Sequence, residues 1–306
     1  MLDGNSILNV RMSTHPFRIV NVFTHPQGAL TGNSLCVFED GACFDSRTMQ
    51  ALARQFNLSE TTFILPSSRA AARVRIFTPS YEMPFAGHPT LGTAHVCRAL
   101  KLGADSLRLE MEAGLIAVEA RQNRWTLWAP SANWREVEAA PDELAFALGL
   151  QAHDIGDRPL WVKSGKEQLI VPLNSQDAVR RTAPQPSAFA NIRSEDGIGM
   201  AYVFAESGDA MQDAAAGGRR ATVRTLARFF FPQNGTMLED PATGSATANF
   251  GGWCLAMGRP VPLRVEISQG ELIGRPSVLY LEIDAERNIR VGGDVIDVGS
   301  GAVTLD

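Results

Sequence analysis

One turn occurs twice in this chain, and its spacing limits the fold more than any other feature. Glu82-Met83-Pro84-Phe85-Ala86-Gly87 and Glu239-Asp240-Pro241-Ala242-Thr243-Gly244 share the pattern Glu-x-Pro-x-x-Gly, with prolines 157 positions apart in a chain of 306. An Arg-x-Phe-x-Pro segment precedes each turn, Arg75-Ile76-Phe77-Thr78-Pro79 in one case and Arg228-Phe229-Phe230-Phe231-Pro232 in the other. Small and apolar residues at helical spacing follow each turn, predicting one helix from Gly87 to Gly103 and another from Ser245 to Met257. A repeat of half the chain length predicts two lobes of one design with a cleft between them.

The rest of the chain fits an α+β fold rather than a regular βαβ alternation. Residues 1–15 are polar and patternless and are expected to form a loose tail before an alternating strand beginning at Phe17. Asp45 supplies an N-cap for a helix whose apolar positions 49, 52, 53 and 56 share one face. Thr61 to Leu65 and Arg73 to Phe77 are expected strands, and Leu107 to Ala129 a three-stranded meander broken at Gly114 and near Asn123. A connection over 130–143 leads into a helix ending near Gly149. Met200 to Ala205, Arg224 to Phe231 and the run from Leu263 onward are further strands. The expected lobes are 16–130 and 131–295, with a final strand over 296–306 returning to the N-terminal lobe.

Twenty-eight basic and thirty-three acidic residues give a net charge of -5, with no long run of either sign, which argues against a nucleic-acid partner. No stretch approaches the roughly 20 apolar residues of a membrane span, and Met1 to Ser13 lacks the layout of a signal peptide. A cytoplasmic protein without a membrane partner is expected. The four cysteines (Cys36, Cys43, Cys97, Cys254) form no CxxC pair and predict reduced thiols rather than disulfides or a zinc site. Dinucleotide, P-loop and HExxH patterns are missing, and only three lysines are present, so no cofactor or metal is expected. Proton transfer without a cofactor remains.

A glycine opening a helix lets a ligand approach the free N-H groups of the first turn, which favour an anion. Gly87-His88 and Gly244-Ser245 are two such places, suited to the carboxylate of a small acid held between the lobes; tight strand-to-helix turns alone would also call for both glycines. His88 can hydrogen-bond a substrate or carry a proton there, although a lone histidine is more often structural. Asp240 and Glu239 precede the second helix, where either can act as a cap. Glu60 stands where a helix gives way to the apolar strand Thr61 to Leu65; a carboxylate entering a sheet needs a partner or a function, so Glu60 is a candidate acid or base.

Six motifs taken in order resemble the phenazine-biosynthesis PhzF-like isomerase family, which is related in fold to diaminopimelate epimerase. They are Val22-Phe23-Thr24 with Gly32-Asn33, Ser59-Glu60-Thr61, Phe77-Thr78-Pro79, Gly87-His88-Pro89-Thr90, Glu239 to Ser245, and Gln269-Gly270 with Gly274-Arg275-Pro276-Ser277. The resemblance implies two lobes, each a curved mixed or antiparallel sheet around a central helix, with the site between them in a homodimer. It makes Glu60 the general acid/base with His88 and Asp240 as partners, and Gly87, Gly244 and Ser245 the contacts to a small carboxylate-bearing substrate, with Asn33 facing the same cleft. The epimerase relatives use two cysteines at positions that are Ala86 and Thr243 here, so the expected activity is a cofactor-independent isomerase. The alternatives are an amino-acid epimerase or racemase, and a non-catalytic small-acid binding or regulatory protein.

Overall fold

The computed structural model describes residues 12–207, 211–212 and 221–305. The first half of the chain contains β1 (Ser13–Val22), β2 (Asn33–Phe38), α1 (Ser46–Phe56), β3 (Glu60–Leu65), β4 (Ala72–Phe77), β5 (Glu82–Met83), α2 (Gly87–Ala99), β6 (Ser106–Met111), β7 (Gly114–Arg121) and β8 (Arg124–Trp128). The second contains β9 (Asn133–Glu136), α3 (Pro141–Leu148), β10 (Leu160–Ser164), β11 (Lys166–Pro172), α4 (Gln176–Arg181), β12 (Ala201–Glu206), β13 (Met211–Gln212), β14 (Ala221–Gln233) and β15 (Thr236–Asp240). It continues with α5 (Gly244–Ala256), β16 (Leu263–Gln269), β17 (Ser277–Ile283) and β18 (Ile289–Leu305).

The pairing scheme repeats strand for strand. In the first half β2 runs antiparallel to β1 and parallel to β3, β3 is antiparallel to β4, and β4 pairs antiparallel with β5 and parallel with β6, which leads into β7. In the second half β11, β10, β12, β14, β15, β16 and β17 stand in the places of β2, β1, β3, β4, β5, β6 and β7 with the same senses. The long β18 joins the halves: Ile289 to Ile283 and Arg290 to Trp128 at one end, Leu305 to Ser13 at the other.

Strand alternation explains why so many of these strands are apolar on both faces. Leu35 and Val37 point into the core around α2, while Cys36 and Phe38 meet α1 on the outer face with Met49, Phe63 and Phe77. Tyr202 and Phe204 likewise face the core around α5, and Ala201, Val203 and Ala205 face α3 and α4. The inner core is one continuous apolar cluster containing residues of both α2 and α5. These two helices are buried almost all round, so they lack the polar stripe of a surface helix.

The repeated arginine and glutamate prove to be partners. Arg75 holds Glu82 at 2.6 and 2.7 Å and lies over the Phe77 ring; Arg228 holds Glu239 at 2.7 Å and lies over Phe230. Each pair links a strand to its hairpin partner just before a central helix, which fixes where the turn delivers that helix.

The structure adjusts several sequence expectations. β1 starts at Ser13 rather than Phe17, because β18 supplies a partner for Ser13 to Pro16 over Ala302 to Leu305; the earlier part of the expected tail, 1–11, lies outside the described residues. The helix expected to reach Gly103 ends at Ala99, and the connection over 130–143 contains the short strand β9, which pairs with β10. The β10–β11 hairpin and α4 fall in a stretch where the sequence suggested no element. Among the described residues no helix is long and apolar enough to cross a membrane, a statement that does not concern strands.

Candidate active site

The two repeated turns bring the first residues of α2 and α5 face to face. A Cβ placed on Gly87 would stand 3.8 Å from Gly244 Cα and 4.0 Å from the Ser245 nitrogen. On the far side of Gly244 lies Phe23, held at a φ of 63°, whose ring would come within 3.2 Å of a Cβ on Gly244. Neither helix has a side chain capping its N-terminus. Pro89 lacks an N-H, so α2 offers only the amides of Gly87 and His88 ahead of its first intrahelical bond, Thr90 to Ala86. Two uncapped helix starts, each the positive end of a dipole, therefore point at one place.

Glu60 opens β3 and His88 is the second residue of α2. Glu60 Oε2 lies 3.4 Å from His88 Nε2, with the side chains 16% and 7% exposed. Both atoms are buried without a hydrogen-bond partner. Burial pushes the Glu60 carboxyl up to about 8, with the nearby Asp240 charge adding to the rise. Burial also pushes the His88 imidazole down to about 3, against a smaller opposing pull from the Ser34 backbone. Both groups are consequently favoured in their neutral forms near pH 7.

Asp240, the last residue of β15, sits in a network drawn from four segments. Asn33 Nδ2 donates to Asp240 Oδ1 at 3.0 Å and to the Ala242 carbonyl at 3.2 Å, and Ser59 Oγ donates to Asn33 Oδ1 at 3.3 Å. Thr243 Oγ1 donates to Asp240 Oδ2 at 2.5 Å. Gln269 Nε2 donates to Thr243 Oγ1 and to the Asp240 carbonyl, while Gln269 Oε1 accepts from the Thr243 amide. Burial raises Asp240 to about 7; the Thr243 and Asn33 hydrogen bonds oppose that rise and the Glu239 charge adds to it. Two carboxyl groups thus titrate near neutrality beside a neutral imidazole, the condition suited to moving protons near neutral pH.

Each candidate residue from the sequence takes part in this arrangement: Glu60 with His88, Asp240 with Asn33, and Gly87 with Gly244 and Ser245. Glu239 does not. It is paired with Arg228, and neither it nor Asp240 caps α5. The sequence reading assigned no role to Gln269, Gln168 or Asn249. Gln168 Nε2 reaches Ser245 Oγ at 3.1 Å, and Asn249 Nδ2 reaches Gln168 Oε1 at 2.8 Å. What the three have in common is a buried side-chain amide whose partners lie in distant segments. Cys36, Cys97 and Cys254 are buried and Cys43 is exposed. Burial raises the thiols of Cys97 and Cys254 to about 12, and none of the four cysteines lies at either helix start. Among the described residues no group of three or more His, Cys, Asp or Glu side chains is placed to hold a metal ion.

The family of phenazine biosynthesis-like proteins, PhzC-PhzF, matches the chain over residues 20–301. An uncharacterized isomerase of Pasteurella multocida is 36% identical over 297 residues, covering 95% of this chain and 94% of its own length. The trans-2,3-dihydro-3-hydroxyanthranilate isomerase of Pseudomonas fluorescens is 33% identical over 313 residues, covering 95% of this chain and all of its own. In fold, the crystal structure of the Bacillus anthracis PhzF-family phenazine biosynthesis protein superposes with a TM-score of 0.80 at 22% identity, over 96% of this chain and all of that one. The chain belongs to the phenazine biosynthesis-like, PhzC-PhzF family of isomerases.

Proposed function

We propose that this protein is a cofactor-independent isomerase that moves a proton between two carbons of a small carboxylate-bearing substrate. The halves of the chain act as two lobes closing on that substrate, in a cytoplasmic homodimer as the family resemblance implies. The substrate carboxylate lies between the amides of Gly87 and His88 on one side and of Gly244 and Ser245 on the other. Ionised Glu60 takes a proton from a carbon made acidic by conjugation. The C-H electron pair enters the conjugated system, a new double bond forms, and the distal carbon accepts the proton that Glu60 now carries. His88 keeps the Glu60 carboxyl aligned through its neutral ring. Asp240, held by Asn33 and Thr243, tunes the base by its charge.

The observation that carries this reading is the pair of unsatisfied atoms 3.4 Å apart, Glu60 Oε2 and His88 Nε2, next to two uncapped helix starts. Buried polar atoms without partners are uncommon in folded proteins, and a ligand or a transferred proton satisfies these two. A carboxyl raised to about 8 is also a stronger base than an ordinary glutamate while remaining about a tenth ionised at pH 7.

The test is solvent-hydrogen exchange with trans-2,3-dihydro-3-hydroxyanthranilate, the compound named for the Pseudomonas fluorescens relative, together with a panel of small cyclic and aromatic amino acids. In heavy water the isomerase reading predicts deuterium at a carbon other than the one that loses hydrogen, seen by NMR. Exchange confined to one carbon would identify an epimerase, and binding without exchange across the panel a regulatory protein.

A further inference from the structure

We infer that Gln168 and Asn249 are positioning residues that fix the Ser245 hydroxyl as a hydrogen-bond donor toward the bound acid; this deepens the proposed function and rests on its placement of the anion. The chain of bonds has a direction set by the backbone. The Ser164 N-H donates to Asn249 Oδ1 at 2.6 Å, and Asn249 Nδ2 donates to the Lys166 carbonyl at 2.9 Å. An N-H can only donate and a carbonyl can only accept, so the Asn249 amide has one orientation. Its nitrogen then also donates to Gln168 at 2.8 Å, which fixes Oε1 as the end of Gln168 facing Asn249. The nitrogen of Gln168 therefore faces Ser245 and donates to Oγ at 3.1 Å. Among the described residues the Ser245 hydroxyl donates to nothing, and its own proton is left for the space between the helix starts.

The fold itself does not require this relay. Strand register places Leu35 in the first half where Gln168 stands in the second, and helix register places Gly92 where Asn249 stands. There the space is closed by packing: a Cβ on Gly92 would come 2.6 Å from Leu35 Cδ2. The same frame thus closes with one leucine and one glycine, yet the second half buries two amides, 3% and 0% exposed, in a fully paired network. Buried amides add directionality that an apolar pair lacks, and here the direction ends on the hydroxyl of half-buried Ser245, whose backbone nitrogen stands next to Gly87. A donor there selects a carboxylate oxygen and disfavours a ligand that presents its own N-H or O-H.

The experiment is a thermodynamic cycle on anthranilate binding, followed by the fluorescence of the ligand, with wild type, Ser245→Ala, Gln168→Leu and the double variant. Anthranilate has no sp3 C-H for a base to remove, so its binding is read apart from turnover and the result is independent of whether the isomerase reading holds. Loss of a hydrogen bond to a charged group predicts about 10- to 100-fold weaker binding for each single variant, and no further loss in the double variant. Gln168→Glu, which keeps the shape but accepts the Ser245 proton, should bind anthranilate at least as weakly as Gln168→Leu while favouring uncharged anthranilamide over it. The inference is overturned if Gln168→Leu or Gln168→Glu binds anthranilate as wild type does, or if Gln168→Leu weakens binding by the same factor when Ser245 is already alanine.

Discussion

The two halves of this molecule share one frame and differ where chemistry meets it. Glu60 opens β3 in the first half, and its register equivalent in the second half, the residue just before β12, is Met200; at the second residue of the central helix, the first half has His88 and the second Ser245. At the end of the short hairpin strand the order of polarity reverses, with Met83 in the first half and Asp240 in the second. The frame therefore offers the same positions twice. In the proposed mechanism Glu60 and His88 of the first half handle the proton, while Asp240 and Ser245 of the second tune the base and hold the substrate. Because the second half has Met200 where the first has Glu60, the proposed mechanism uses a single base, and in it a proton taken from one face of the substrate returns to that face, which suits a shift between carbons more than a two-base inversion.

The structural parts of the two halves also differ in burial, and breaking their ion pairs measures that difference. Arg228 and Glu239 are 13% and 6% exposed, and Arg228 also donates to the carbonyls of Val179, Arg180 and Thr182 at the end of α4. Arg75 and Glu82 are 19% and 33% exposed. Arg228→Met should cost about 3–5 kcal/mol by leaving Glu239 buried and unpaired, whereas Arg75→Met should cost about 1 kcal/mol, both read by urea unfolding. Equal losses would mean that the halves are not stabilised differently at these turns.

Glu60 should also leave a mark on stability. Its carboxyl titrates near 4.5 unfolded and about 8 folded, so in that window the folded chain keeps a proton that the unfolded chain releases. Its contribution is therefore fully present below about pH 4.5 and is lost as pH rises through about 8. Glu60→Gln has no proton to lose and should gain on the order of a few kcal/mol relative to wild type between pH 5 and 8, checked by unfolding at both ends of the range. A constant difference across that range would show that Glu60 is not held in a charge-averse place.

A smaller effect is expected at the meeting of the halves. The Cβ of Gly87→Ala makes only ordinary contacts at 3.8 to 4.0 Å, so the melting temperature should hardly change. It does occupy the gap between the helix starts, and KM for an established substrate should rise by about tenfold, the equivalent of about 1.4 kcal/mol. An unchanged KM would place the substrate anion elsewhere.

Much of this comparison was legible in the sequence because it is written in local motifs. Gly87 and Gly244 open helices, Pro84 and Pro241 mark the turns, and Glu60 stands where a helix gives way to an apolar strand, so each announces itself within a few residues. The meaning of Arg75, Glu82, Arg228 and Glu239 needed strand pairing to appear, since each arginine meets its glutamate across a hairpin. Gln168, Asn249 and Gln269 were harder still. Gln269 stands within a motif, but the partners of all three come from distant segments, so nothing nearby in the sequence states what each amide holds. The short β9 was hidden for a similar reason: four residues between prolines carry too little alternation to register.

The central claim is that Glu60 carries the proton while the helix starts hold the substrate, and one variant separates the two. Glu60→Gln should lower kcat by about 10²- to 10⁴-fold, abolish deuterium uptake from heavy water, and leave the dissociation constant of anthranilate within a few fold of wild type, because the anion contacts come from Gly87, His88, Gly244 and Ser245. Turnover and deuterium uptake near the wild-type rate on an established substrate would contradict the account, whatever the variant did to binding.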